Sequence, residues 1–367
     1  RQENTLYLHF SRQETEYRKA EGRHIQDGCW NTRRKISFQQ LPLVKKDFYA
    51  PKPYFNGLHG VFGDSFVDSW GELLIKRYLA TKDVDYNSLS ILEKLSIIGN
   101  STVGALTYHP NNGDIHLESE IDLDLYANEA SKILNNEYSS HIDDLFVAGG
   151  SSGGSRPKIF GKYNNQNVII KFKSKMDVDN ITEQEYEYMM KAKECGIVIP
   201  DIYLLSKSKL MNKNANYYAV QRFDIKDNKR LHVISVAGLL ECDYHAPAID
   251  YRDLLKLTSI LTNSKSEVLQ MFKRMVFNVV FQNLDDHAKN FSFFYDEKLD
   301  RYCLTPAFDL TKGTTYYGEH TTSVNGKGKN ITDEDMIKLA IEFKINKDLA
   351  INIINLVKQK YNETKHK

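Results

Sequence analysis

Asp285 and Asn290 stand either side of four residues in the segment NLDDHAKN, and Asp309 follows within LTPAFDL. Carboxylates and a carboxamide are hard oxygen donors of the kind that hold Mg2+, and a carboxylate can also accept a proton from a hydroxyl. That set suits phosphoryl transfer, which asks a protein for positioning, countercharge, metal ligands and a proton acceptor rather than for covalent chemistry. Protein kinases use the same D-x-x-x-x-N spacing in their catalytic loop, with the aspartate as base and the asparagine as magnesium ligand. Asp286 competes for the base role, and the spacing to Asn290 favours Asp285. His287 and Lys289 are both candidates for positive charge near a transferring phosphate, and His287 can equally hold the loop backbone.

Phosphates also need a cradle and a cation. Gly149-Gly150-Ser151-Ser152-Gly153-Gly154 has four glycines in six residues, which lets backbone N–H groups approach phosphate oxygens. No G-K-S/T follows, so this is not a Walker loop. Lys171 lies in the apolar run NVIIKFK, where it can reach α and β phosphates, with Lys173 on the same face as its rival. Glu185 has two readings. It can salt-bridge Lys171, or it can close a capping box with Thr182.

Elements must position these residues. Asp68 or Ser69 is placed to cap a helix carrying Leu73, Leu74, Tyr78 and Leu79, and Ser88–Gly99 reads as a second short helix. LFVA (145–148) reads as a strand before the glycine loop, KIFGKY and NVIIKFK as strands joined at Asn164-Asn165, and Tyr217–Phe223 as a further strand. A helix runs from near Thr182 to Gly196. After residue 223 the pattern turns helical, over 252–262 and 266–281, with the second helix feeding directly into NLDDHAKN. FSFFY and RYCLT form a hairpin ahead of Asp309, and helices over about 333–342 and 347–361 end the chain. Short strands at Leu6–Phe10 and Ile36–Phe38 fit a peripheral N-terminal subdomain.

The first half is thus strand-rich and the second helix-rich. The fold expected is α+β, with a strand-rich N-terminal lobe over 1–223 and a helical C-terminal lobe over 224–367. The 367 residues suffice for two such lobes, and 41% hydrophobic with 26% charged residues fits a soluble globular protein. A formal net charge of +1 gives no bulk attraction to nucleic acid or to an anionic membrane. No run of uncharged apolar residues is long enough to span a bilayer, and the N-terminus has no signal core. The four cysteines are scattered, which disfavours zinc or a disulfide scaffold and fits a reducing cytoplasm.

FGDSFVDSWGE, GGSSGGSRPK, VIIKF, EYEYMMKAKECGI, VQRFD, NLDDHAKNFSFF and LTPAFDL occur in this order from about residue 55 onward. Together they resemble the HipA-type serine/threonine kinases, the toxins of bacterial toxin–antitoxin pairs. The resemblance implies ATP and Mg2+, and a two-lobed kinase-like fold with an extra N-terminal subdomain. It implies Lys171 at the nucleotide phosphates, Asp285 as base, and Asn290 and Asp309 as magnesium ligands. It puts an adenine-contacting hinge near Gln221, Arg222 and Phe223, with Arg222 and Asp224 structural. It implies autophosphorylation of a loop serine, Ser151 or Ser152 ahead of Ser155. A phosphate there would place about two negative charges where those of ATP must bind. Aminoacyl-tRNA synthetases are among the family's substrates. A helix-turn-helix antitoxin of HipB type is its partner, with DNA reached only through that partner. Val67 stands where the family often has proline, the first 50 residues match loosely, and the chain begins at Arg1 rather than Met, which fits a start lying upstream or on a small separate subunit. The competing readings are a small-molecule kinase of similar architecture and a silent antitoxin-binding scaffold. The presence of Lys171, Asp285, Asn290 and Asp309 together speaks against the scaffold.

Overall fold

The computed structural model describes residues 7–10, 54–109, 122–149, 154–174, 177–206, 216–313, 315 and 317–365. The expected strand at Ile36–Phe38, most of the N-terminal subdomain, and Gly150, Ser151, Ser152 and Gly153 lie outside them. The fold is mixed α/β with mainly antiparallel strand pairing, and two compact units emerge: residues 1–183 with 202–233, and residues 184–201 with 234–367.

The first unit opens with β1 (Tyr7–Phe10), the single turn α1 (Gly60–Gly63), α2 (Ser69–Ala80) and α3 (Ile91–Ile98). α3 begins with a capping box in which Ser90 and Glu93 satisfy each other's backbone N–H groups. β2 (Leu106–His109) pairs antiparallel with β1. α4 (Leu123–Leu134) and α5 (Ile142–Gly149) follow. α5 takes up the LFVA run expected as a strand. Ile142, Leu145, Phe146, Ala148 and Gly149 are its buried residues, and the i, i+3, i+4, i+7 spacing within that set is helical. Four apolar residues alone cannot distinguish the two periods; only with Ile142, in the same helix, does the helical spacing emerge.

β3 (Lys158–Tyr163) and β4 (Gln166–Lys171) form the expected hairpin, with Asn164 and Asn165 both at positive φ, as its tight turn requires. After α6 (Ile181–Glu194), β5 (Ile202–Ser206) and β6 (Asn216–Gln221) complete a sheet ordered β3-β4-β6-β5. α6 starts at Ile181, so Thr182 falls in its first turn, where its hydroxyl donates to Glu183 at 2.9 Å. Val168, Ile170 and Phe172 alternate into a core that also holds Trp70, Leu74, Tyr108, Leu145 and Ile159. Burial of side chains this size stabilises by about 1.5–3 kcal/mol each.

The stretch after residue 223 first forms short elements rather than long helices: β7 (Ile225–Lys226), β8 (Lys229–Arg230), β9 (Val233–Ser235), the five-residue helix α7 (Val236–Leu240) and β10 (Ile249–Asp250). The second unit is built on α8 (Tyr251–Thr262) and α9 (Lys265–Phe281), whose Leu254, Leu255, Met271, Phe272, Met275 and Val276 are fully enclosed. β11 (Ser292–Asp296) and β12 (Arg301–Leu304) make the predicted hairpin, and β13 (Thr322–Ser323) pairs parallel with β10. α10 (Asp333–Glu342) and α11 (Lys347–Lys365) close the unit.

Candidate active site

In the second unit, α9 ends at Gln282, a left-handed residue that turns the chain sharply out of the helix. Asn283 to His287 form neither helix nor strand apart from a single bridge at Asn283, Ala288–Asn290 makes one tight turn, and β11 follows. Asn290 N closes that turn on His287 O at 2.9 Å, and Asn290 Nδ2 donates to the main-chain oxygen of Asp285 at 2.8 Å. The amide nitrogen is thereby occupied, which leaves the carbonyl oxygen of Asn290 as a donor for a cation.

The two neighbouring aspartates are unlike. The side chain of Asp285 is 60% exposed, whereas Asp286 is fully enclosed. Crowding by surrounding protein raises the Asp285 carboxyl above its ordinary value, His287 opposes this, and the like charges of Asp309 and Asp286 raise it further. His287 Nε2 stands 4.0 Å from Asp285 Oδ1. The ring of Tyr244 lies 5.8 Å from that of His287, and Lys289 Nζ sits 4.5 Å over Tyr244. Asp309 comes just after β12 with φ 53°, a left-handed backbone that costs a non-glycine residue free energy and collects at functional sites. A carboxylate raised by the charge of a second one, next to an asparagine oxygen, forms an arrangement that a hard divalent cation would relieve. Among the described residues no group of three or more His, Cys, Asp or Glu is arranged to hold a metal ion.

In the first unit, β4 is flanked by β3 and β6, and Lys171 is paired with Lys158 on one side and Tyr218 on the other. Directly opposed residues share a sheet face, so both lysines project to the same side. Each is only 8% exposed, and Lys171 Nζ lies 5.6 Å over the Tyr218 ring. Lys173, the rival, is 50% exposed and bridges to Asp179 at 2.7 Å. Lys158 had no role assigned from sequence. The two-residue Asn164-Asn165 turn fixes the hairpin register, and counting back from it would have set Lys158 opposite Lys171.

Gly154, the last residue of the glycine loop, is held by the start of α2: its N–H donates to Asp68, and its carbonyl accepts from Trp70 N at 3.1 Å. Its φ is +85°, and a Cβ there would stand 2.7 Å from Lys158 Nζ. Asp68 thus serves the loop instead of capping its own helix. Gln221 ends β6 opposite Val168. The guanidinium of Arg222 is committed to Asp224 at 2.6 and 3.0 Å and packs over Phe160, so it offers a ligand only main chain. Burial alone would raise the Asp224 carboxyl, yet Arg222, the Gly104 N–H and Arg230 hold it below the usual range. Phe223 is half-buried, and Glu185 lies on α6 only 2% exposed.

A family model described as HipA-like C-terminal domain matches residues 150–364. A Sinorhizobium fredii protein named as a kinase, Y4dM, is 24% identical over 328 residues, covering 85% of this chain and 78% of that protein. A Haemophilus influenzae protein also named as a kinase is 26% identical over 188 residues, 46% of this chain and 54% of its own length. Among solved structures, the toxin–antitoxin complex of HipA, HipB and operator DNA from Shewanella oneidensis MR-1 contains a similarly folded chain. Its TM-score is 0.62 at 16% identity, with 83% of this chain and 77% of that one covered. No helix among the described residues is long and apolar enough to cross a membrane.

Proposed function

The chain belongs to the family of HipA-like C-terminal domains, and from that membership and the site geometry we propose that it is an ATP- and Mg2+-dependent protein serine/threonine kinase with two kinase-like lobes. One observation carries the reading. Asp285, Asn290 and Asp309 come together in the second unit, Asn290 by a hydrogen bond to Asp285 and Asp309 by its charge on the same carboxyl. In this reading Asp285 accepts the proton of the attacking hydroxyl. Asn290 and Asp309 hold the metal, which when bound neutralises charge on the transferring phosphoryl group. Lys171, with Lys158 beside it, takes nucleotide phosphates under the glycine loop, and Gln221 to Phe223 meet the base through main chain. His287 steadies or neutralises at Asp285.

The biological role proposed is that of a toxin working in the cytoplasm, restrained by a helix-turn-helix partner of HipB type that carries the DNA contact. An aminoacyl-tRNA synthetase is the first substrate class to test. A phosphate on Ser151 or Ser152 would repel those of ATP and silence the enzyme. The test is incubation with γ-labelled ATP and Mg2+ alongside a bacterial lysate, followed by phosphoamino-acid analysis. Phosphoserine or phosphothreonine on lysate proteins, with self-label lost in the Ser151→Ala/Ser152→Ala form, is expected. Label on small molecules alone would replace the protein-kinase reading with the small-molecule one.

A further inference from the structure

Asp286 is a fully enclosed carboxylate that accepts three hydrogen bonds. Its Oδ2 accepts from Tyr251 Oη at 2.8 Å and from His320 Nδ1 at 2.9 Å, and its Oδ1 accepts from Thr322 N at 3.0 Å. Thr322 Oγ1 donates to the main-chain oxygen of the same residue. Behind Tyr251, Asn278 Nδ2 donates to the phenol oxygen at 2.8 Å. His320 is itself only 7% exposed. One carboxylate therefore joins α8, α9, the NLDDHAKN loop and the segment that follows Asp309.

That segment meets the loop twice. On its way out, Gly313 bridges to Asn283 and packs so closely that a Cβ would stand 2.9 Å from Asp285 Cβ. On its return, Thr321 N donates to Leu284 O at 3.0 Å, and the His320 and Thr322 bonds to Asp286 follow. A buried, multiply bonded polar network admits few alternative arrangements, because a shift strands desolvated groups. Asp286 adjoins Asp285, so where this network sits sets where the exposed carboxylate sits.

We propose that Asp286 and His320 are positioning residues, whose hydrogen bond locks the loop carrying Asp285 and Asn290 to the segment that begins at Asp309. This rests on the kinase reading above. A misplacement of about 1 Å at a reacting group can cost about 100-fold in rate, so His320→Ala is expected to lower kcat by at least about 30-fold while leaving KM for ATP within about twofold. His320→Gln, which keeps a donor, should recover most of the rate, and Tyr251→Phe should fall between. Hydrogen exchange at the amides of 284–290, read by mass spectrometry on the full chain, should speed up in His320→Ala and return towards wild type in His320→Gln. A His320→Ala enzyme with near wild-type kcat, unchanged exchange over 284–290, or no recovery in His320→Gln would each overturn the proposal. If His320→Ala does not fold, Tyr251→Phe decides by the same two readouts. A wild-type chain that transfers no phosphate would contradict the kinase reading instead, and the exchange data would still decide the positioning role.

Discussion

Asn290 turns its side-chain amide back on its own loop and donates to the main-chain oxygen of Asp285 across 2.8 Å. One residue thereby braces the proposed base and presents an oxygen to the proposed metal. Asn290→Ala removes both functions. Removing a group that stabilises transition-state charge typically costs about 100–1,000-fold in kcat, and a loss of that order is expected, with a raised Mg2+ requirement. Steady-state rates across free Mg2+ concentrations check it.

Gly313 faces Asp285 with no room for a side chain, since a Cβ would lie 2.9 Å from Asp285 Cβ and 3.0 Å from its N. Gly313→Ala must push the Asp285 backbone aside. Overpacking of this kind costs about 1–3 kcal/mol, and the expected signature is a small fall in melting temperature with a much larger fall in kcat. Equal losses in both would show that Gly313 is merely a tight spot in the fold.

The Asp285 carboxyl is raised in the folded chain, by crowding first and then by the charges of Asp309 and Asp286. A carboxyl whose folded-state value lies above its unfolded one binds its proton more tightly when folded. Its contribution favours folding below the unfolded value, about 3.9, and is lost as pH rises through the folded value. Asp285→Asn, which abolishes activity in this account, should therefore melt higher than wild type at pH 7. That gap should close as pH falls toward the unfolded value. Calorimetry of both proteins across pH checks it. In parallel, Asp309→Asn should lower the Asp285 titration midpoint seen by carboxyl NMR.

Lys171 and Lys173 were indistinguishable by strand face, but only Lys171 is enclosed. Lys173 is half exposed and its partner Asp179 fully so, an ion pair that contributes little. Lys173→Met should leave stability within about 0.5 kcal/mol and phosphoryl transfer intact. Lys171→Met should raise KM for ATP and lower kcat together. Lys158→Met should resemble Lys171→Met if the opposed lysines share one phosphate. Initial-rate kinetics on the three variants separate them.

Much of the order from α9 through the loop and hairpin to Asp309 could be read from residue types alone. Leu269, Phe272, Val276, Val279 and Val280 repeat at helical spacing within a 17-residue helix, long enough for the period to show, although of these only Phe272 and Val276 are buried. The LFVA run was too short for that and was misread. The short strands between 225 and 250 carry no period at all. Asp286 was legible only as a rival base, because its partners Tyr251 and His320 lie 35 and 34 residues away in regions without any motif. The same holds for Asp68, which seemed a helix cap until Gly154 proved to be its partner.

The central claim is that Asp285 is the base of a phosphoryl-transfer site completed by Asn290 and Asp309. It is tested most directly by single-turnover transfer from γ-labelled ATP with Mg2+, comparing wild type with Asp285→Asn, Asp309→Asn and the double variant. The account predicts transfer by wild type, near-complete loss in each single variant, and little further loss in the double, because both residues act on one transition state. Transfer that survives Asp285→Asn, or a double variant far worse than either single one, would contradict it.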